Sequence, residues 1–232
     1  MPILLCIESA TTVCSVSLVR DGHVLSVRES SEGLNHAEKL TVFVEEVFHE
    51  AGVPMSDIDG VAVSGGPGSY TGLRIGVSTA KGLCWALDKP LLAIPTLLSM
   101  ANGVRTVVDP ESNAILCPML DARRMEVYTA AFSLQLDEIA SVEAVVLDQL
   151  SFKSLLDTSQ VYFFGDGMAK SKELLGQYPN ACFVDGFVQS SVHLYGPAAA
   201  ALKAGRTDHV ALYEPFYFKE FIAGKGSVSP GS

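Results

Sequence analysis

The chain is poor in the residues on which metal, redox and secreted proteins most depend. Its 232 residues include five cysteines, Cys6, Cys14, Cys84, Cys117 and Cys182, scattered and odd in number, with no Cys-x-x-Cys pair. That spacing speaks against a disulfide framework or a thiolate zinc site and for buried free thiols in a reducing, cytoplasmic setting. The five histidines, His23, His36, His49, His193 and His209, never fall within five residues of one another. Neither HExxH nor HxxxH can be written, so no zinc or iron site is expected. Basic residues are few, 16 against 26 acidic, for a net charge of −10, and no basic run exceeds Arg123-Arg124. A protein that grips nucleic acid alone presents a basic face, so strong direct binding to RNA or DNA is not expected. No apolar run approaches the length of a membrane span. The N-terminus lacks the basic region and small-residue cleavage site of a signal peptide.

What the chain does have is apolar content, 48% against 18% charged, enough for a substantial core. Ile3 to Ile7, Ser15 to Val19 and His23 to Arg28 read as three antiparallel strands, the last two joined by an Asp21-Gly22 turn. Asn35 with Glu38 makes a near capping box. Leu40, Phe43, Val44, Val47, Phe48 and Ala51 then follow at helical spacing up to Gly52. Gly60 to Ser64 reads as a strand, Leu73 to Leu87 as a helix, Leu91 to Ile94 as a strand, and Pro95-Thr96 opens a helix to about Val104. After the break at 109–113, Ala114 to Leu120 and Met125 to Ser133 form a strand pair. Val161 to Phe164 is a further strand, followed by Gly165-Asp166-Gly167 and a helix to about Tyr178. Leu194 to Ala204 is an alanine-rich helix. The order predicts an α/β protein of two lobes, residues 1–106 and 107–222, with a flexible Gly/Ser/Pro tail over 223–232.

Three motifs carry candidate chemistry. The run Ser64 to Arg74 holds four glycines and a proline between a strand and a helix. Such a loop aims free N–H groups at one point, which suits a phosphate or a docked partner. It is neither a Walker A loop nor a Rossmann first turn. Gly66, Gly68 and Ser69 would face a phosphate, and Arg74 would clamp an anion or pin the loop. Between the first two strands, Glu8-Ser9-Ala10-Thr11-Thr12 could hold Mg²⁺ through water and phosphate through N–H groups, or be an ordinary hydroxyl-capped turn. Asp121-Ala122-Arg123-Arg124-Met125-Glu126-Val127-Tyr128 is either a solvated hairpin tip stitched by ion pairs or a ligand-facing turn.

Taken together, Ile7-Glu8-Ser9-Ala10-Thr11, Asn35-His36-Ala37-Glu38, the long glycine motif through Gly82-Leu83, and Asp121-Ala122-Arg123 with Glu126-Val127-Tyr128 resemble the TsaB (YeaZ) family of tRNA threonylcarbamoyladenosine biosynthesis. The resemblance covers the first 130 residues and implies two ribonuclease-H-like lobes of the actin-like ATPase fold, the first βββαβα. It implies a non-catalytic subunit supporting a TsaD-like threonylcarbamoyltransferase, with a TsaE-like ATPase as a further partner and a homodimer in isolation. Pairing would use the helices Asn35 to Ala51 and Gly72 to Leu87, through Leu34, His36, Leu40, Phe43, Val47, Gly72, Ile75 and Thr79. The catalytic relative holds a metal through HxxxH after the strand that follows the glycine-loop helix. The matching stretch here, Ile94 to Ala101, has no histidine. No cofactor is required on this reading, although Glu8, Ser9, Thr11, Thr12 and the glycine loop leave room for weak nucleotide binding. Rival classes are a stand-alone ATPase or phosphotransferase and, more remotely, a glycoprotease-like peptidase.

Overall fold

A computed structural model describes residues 2–31, 36–105 and 113–218. The first five strands are β1 (Ile3–Glu8), β2 (Cys14–Arg20), β3 (His23–Ser30), β4 (Gly60–Ser64) and β5 (Leu91–Ile94). With them run α1 (His36–Ala51), α2 (Tyr70–Leu87) and α3 (Thr96–Val104). They form a sheet of order β3-β2-β1-β4-β5, with β1 antiparallel to β2 and parallel to β4. β1 is central and covered on both faces, which is why it reads as an unbroken apolar run. Its side chains divide by the strand period of two. Leu5 and Ile7 point toward α1 and α2, whereas Leu4 and Cys6 point to the opposite face.

The second sheet repeats this order. β6 (Ile115–Asp121), β7 (Glu126–Phe132) and β8 (Glu138–Val146) precede α4 (Lys153–Leu156), β9 (Val161–Phe164), α5 (Lys172–Leu175), β10 (Ala181–Phe183) and α6 (Tyr195–Lys203). The strand order is β10-β9-β6-β7-β8. Two α/β lobes of matching topology result.

The chain changes sheet between Ile94 and Ile115, the expected boundary at 106–107 lies outside the described residues, and the covering helices cross between the two sheets. Leu97, Met100, Ala101 and Val104 of α3 pack on Leu116, Leu120 and Phe164 of the second lobe. In exchange, Leu194 and Ala198, at and within α6, pack on Leu4, Cys6, Ala62 and Leu92 of the first. The chain then runs along the edge of the first lobe as a strap. Asp208 accepts from the Ala93 N–H and donates to the Leu91 carbonyl, and Phe216 N–H bonds the Gly65 carbonyl.

Several local expectations need correction. α2 begins at Tyr70, not Leu73, because the Ser69 hydroxyl caps the Gly72 N–H. The helix expected up to Tyr178 is a 3₁₀ turn, Met168–Ser171, followed by the short α5, which stops before Gly176. Strands β8 and β10 and helix α4 had no counterpart in the sequence reading. The Asn35 cap and the tail after Phe218 lie outside the described residues. Among the described residues, no helix is long and apolar enough to cross a membrane.

Candidate functional site

The glycine motif is folded tightly onto its own chain. Gly65 N–H donates to the Ile94 carbonyl at 2.8 Å, Gly66 N–H to Thr96 Oγ1 at 3.2 Å, and Ser69 N–H to the Ala10 carbonyl at 2.7 Å. The glycines allow this approach. A Cβ on Gly68 would lie 2.4 Å from the Ala10 carbonyl oxygen, on Gly72 2.0 Å from that of Ser9, and on Gly76 2.1 Å from Ser9 Oγ. Ser9 is buried and donates its hydroxyl to the Gly72 carbonyl at 2.8 Å. The loop and the turn after β1 therefore serve as each other's ligands.

Glu8 lies beneath them, fully buried. Its Oε1 accepts from Ala10 N–H at 2.6 Å, and its Oε2 accepts from the Ser64 hydroxyl and from Gln189 Nε2, the latter at 2.8 Å. Burial raises its pKa above the usual glutamate value, opposed by these hydrogen bonds. With its oxygens taken by four donors, counting the Ser9 N–H, the carboxylate has no lone pair directed at solvent for a hydrated cation. Gln189 also donates to Ser99 Oγ at 2.6 Å and meets His193 Nδ1 at 3.1 Å. Nearby, Ser191 bonds Ser15 and Ser17, joining the first lobe to the segment returning from the second. Burial pushes the His193 pKa down.

The remaining predicted loop residues spread out. Thr11 Oγ1 caps the Val13 N–H, and Thr12 is exposed. Both line a cleft of about 180 Å³ with Gly165, Asp166 and Gln189. Arg74 is exposed; it bonds Tyr70 Oη at 3.1 Å and lies over that ring, which in turn packs on Tyr217 of the strap. The charged hairpin tip is braced from below. Lys170 Nζ bonds Asp121, the Arg124 carbonyl and the Glu126 carbonyl, and its ion pair holds the Asp121 pKa below the usual range.

The helix face is different. Leu40 and Val47 are fully buried in the core beneath α1, which removes them from the set of surface anchors. Phe43, Ile75 and Leu83 are half-buried against that core, Thr79 is half-buried, and Gly72 is buried. Leu34 and the His36 side chain lie outside the described residues. The exposed apolar groups are Val42, 49% exposed, and Trp85, 80% exposed. On α2, Ser78, Gly82 and Trp85 share one exposed stripe at helical spacing. A Cβ on Gly82 would meet nothing within 4 Å. Glycine inside a helix costs about 1 kcal/mol relative to alanine, and nothing among the described residues explains it here.

The sequence reading missed Gln189, Ser64, Ser99 and Ser191, and the strap. Gln189 is 181 residues from Glu8 and sits in no motif.

Residues 30–215 match the family model described as TsaD, tRNA N6-adenosine threonylcarbamoyltransferase. The chain is 28% identical over 228 residues to the tRNA threonylcarbamoyladenosine biosynthesis protein TsaB of Escherichia coli K12, covering 96% of each. The chain belongs to the TsaD family and, within it, to the TsaB proteins. The Bacillus subtilis TsaB is 28% identical over 176 residues, 74% of each chain. The structure of YeaZ from Pseudomonas aeruginosa superposes with a TM-score of 0.82 at 26% identity, covering 94% of this chain and all of that one. The TsaB relationship thus spans both lobes, including the hundred residues that carry no recognisable motif.

Proposed function

We propose that the chain is the accessory subunit of a TsaD-type threonylcarbamoyltransferase in tRNA threonylcarbamoyladenosine biosynthesis. It supports the transfer without performing it, and it pairs through the exposed faces of α1 and α2. The carrying observation is a contrast within one motif: the space beside the glycines at 66, 68, 72 and 76 is filled by the chain's own atoms, whereas a Cβ on Gly82, near the exposed Trp85, would meet none of the described residues. A close helix approach is what a bare glycine and an exposed aromatic favour. The same face would serve a homodimer in isolation, and a TsaE-like ATPase would join the assembled pair. No nucleotide or metal is needed at the glycine loop on this reading, which is supported by the protein partners that Glu8 and the N–H groups of Gly65, Gly66, Ser69 and Gly72 already have.

The test is co-purification with the TsaD-family protein of the same organism, followed by a tRNA modification assay with each partner omitted. Val42→Glu with Trp85→Glu should weaken pairing by about tenfold or more, since a buried unpaired charge costs upward of 1.4 kcal/mol, and leave the fold intact. A chain that forms no complex and hydrolyses ATP alone would overturn the proposal in favour of the phosphotransferase reading.

A further inference from the structure

A second cavity, about 370 Å³, opens where the two lobes and the strap meet. Its walls include Pro67 and Pro95 from the first lobe, Phe132, Leu136 and Val142 from the second, and Phe216 from the strap. The volume is at the small end of ligand pockets. Leu136 holds a backbone φ of +69°, a conformation unfavourable for a branched apolar side chain, and in it the side chain lines the cavity. Two polar groups join this apolar lining. Glu138, the one charged lining residue, has no partner among the described residues. Among the described residues the Tyr213 hydroxyl reaches only the Gly65 carbonyl, at 3.4 Å, a long bond that leaves it available. Burial pushes the Tyr213 pKa up to about 12, so its hydroxyl stays neutral and keeps its proton.

We propose that this cavity binds a small apolar cation, a free molecule with one aromatic or branched aliphatic group carrying an ammonium or guanidinium. The apolar walls take the hydrocarbon part, and Glu138 selects the charge. A net charge of −10 on the chain draws cations in the same direction. An anion of the same shape would meet the Glu138 carboxylate with no cationic side chain among the described lining residues to offset it, only the neutral Tyr213 hydroxyl. The occupant would touch both lobes and the strap at once, so binding would raise the stability of the folded chain by mass action. This inference is independent of the pairing face and of the proposed transferase role.

The test titrates the full chain with tryptamine and, separately, with indole-3-propionate, an anion of similar size. Calorimetry gives affinity, and amide shifts at Phe132, Leu136 and Phe216 give location. Tryptamine should saturate a single site about fivefold more tightly than the anion, the scale of one partly exposed charge pair. Glu138→Gln, at an exposed position, should bring the two ligands to within about twofold of each other. Ala130→Trp, which fills the cavity, should abolish binding of both. The proposal is overturned if tryptamine shows no saturable binding at millimolar concentration, if the two ligands bind wild type equally, or if Glu138→Gln leaves their ratio unchanged. Should Ala130→Trp fail to fold, the Glu138→Gln ratio decides alone.

Discussion

The two lobes share element order and strand order but differ in the helices that cover one face of each sheet. In the first lobe α1 has 16 residues and α2 has 18. Their counterparts α4 and α5 have four each. The second lobe still closes that face, using Leu156 and Leu175 together with the packed rings of Phe152, Phe163 and Phe183. Covering a five-stranded sheet therefore does not require long helices. The extra turns of α1 and α2 carry surface that the core leaves uncovered, Val42 and Trp85 among it. On the reading proposed above, the lobe with the longer helices is the one that meets the partner.

The largest test of this contrast uses two glycines of one helix. Gly72→Ala drives a Cβ into the Ser9 carbonyl and should cost about 3–4 kcal/mol in denaturant unfolding, at the upper end of overpacking effects. Gly82→Ala, with open space, should stabilise the isolated chain by up to about 1 kcal/mol. If the two substitutions cost the same, the distinction between a glycine needed for folding and one left for a partner is lost.

A somewhat smaller effect is expected at the junction. Glu8→Ala removes the acceptor for four buried donors and should destabilise by about 3 kcal/mol. Glu8→Gln tests the protonation. Burial raises the native pKa, so the folded chain holds this proton more tightly than the unfolded chain. Wild-type stability, measured against Glu8→Gln, should therefore be greatest at and below the ordinary glutamate value of 4.5 and decline as pH rises through the elevated native value. A difference that grows with pH would contradict the raised pKa.

The smallest effect concerns the strap. Lys81 Nζ on α2 donates to the Ala211 and Tyr213 carbonyls, at 3.1 and 2.9 Å. Lys81→Met should cost about 1 kcal/mol and speed hydrogen exchange of the Phe216 amide, which bonds the Gly65 carbonyl. Unchanged exchange at Phe216 would show that the strap does not depend on this anchor.

The parts of the fold legible in the sequence were local. The Asp21-Gly22 turn declared its hairpin because positive φ at both residues is a property of those residues. The period of α1 and the glycine motif were readable for the same reason. β8 was missed because its residue types do not follow its burial: exposure alternates from Ile139 to Ala144, but the apolar Ile139 and Val146 stand at exposed positions of this outer strand. For Leu40 and Val47, spacing marked the apolar face of α1 but could not say whether that face met the chain's own sheet or another protein. The pairing of Gln189 with Glu8 arises from topology and leaves no local trace.

The exchange of α3 and α6 also bears on how the chain is made. During synthesis the first sheet is complete once Ile94 has emerged, but Leu4, Cys6 and Leu92 remain uncovered until Leu194 and Ala198 follow. Roughly 100 residues separate those events, about 5–20 s at ordinary elongation rates of ~5–20 residues per second. For that interval the nascent first lobe exposes one apolar face, which closes only when the residues around Leu194 and Ala198 arrive.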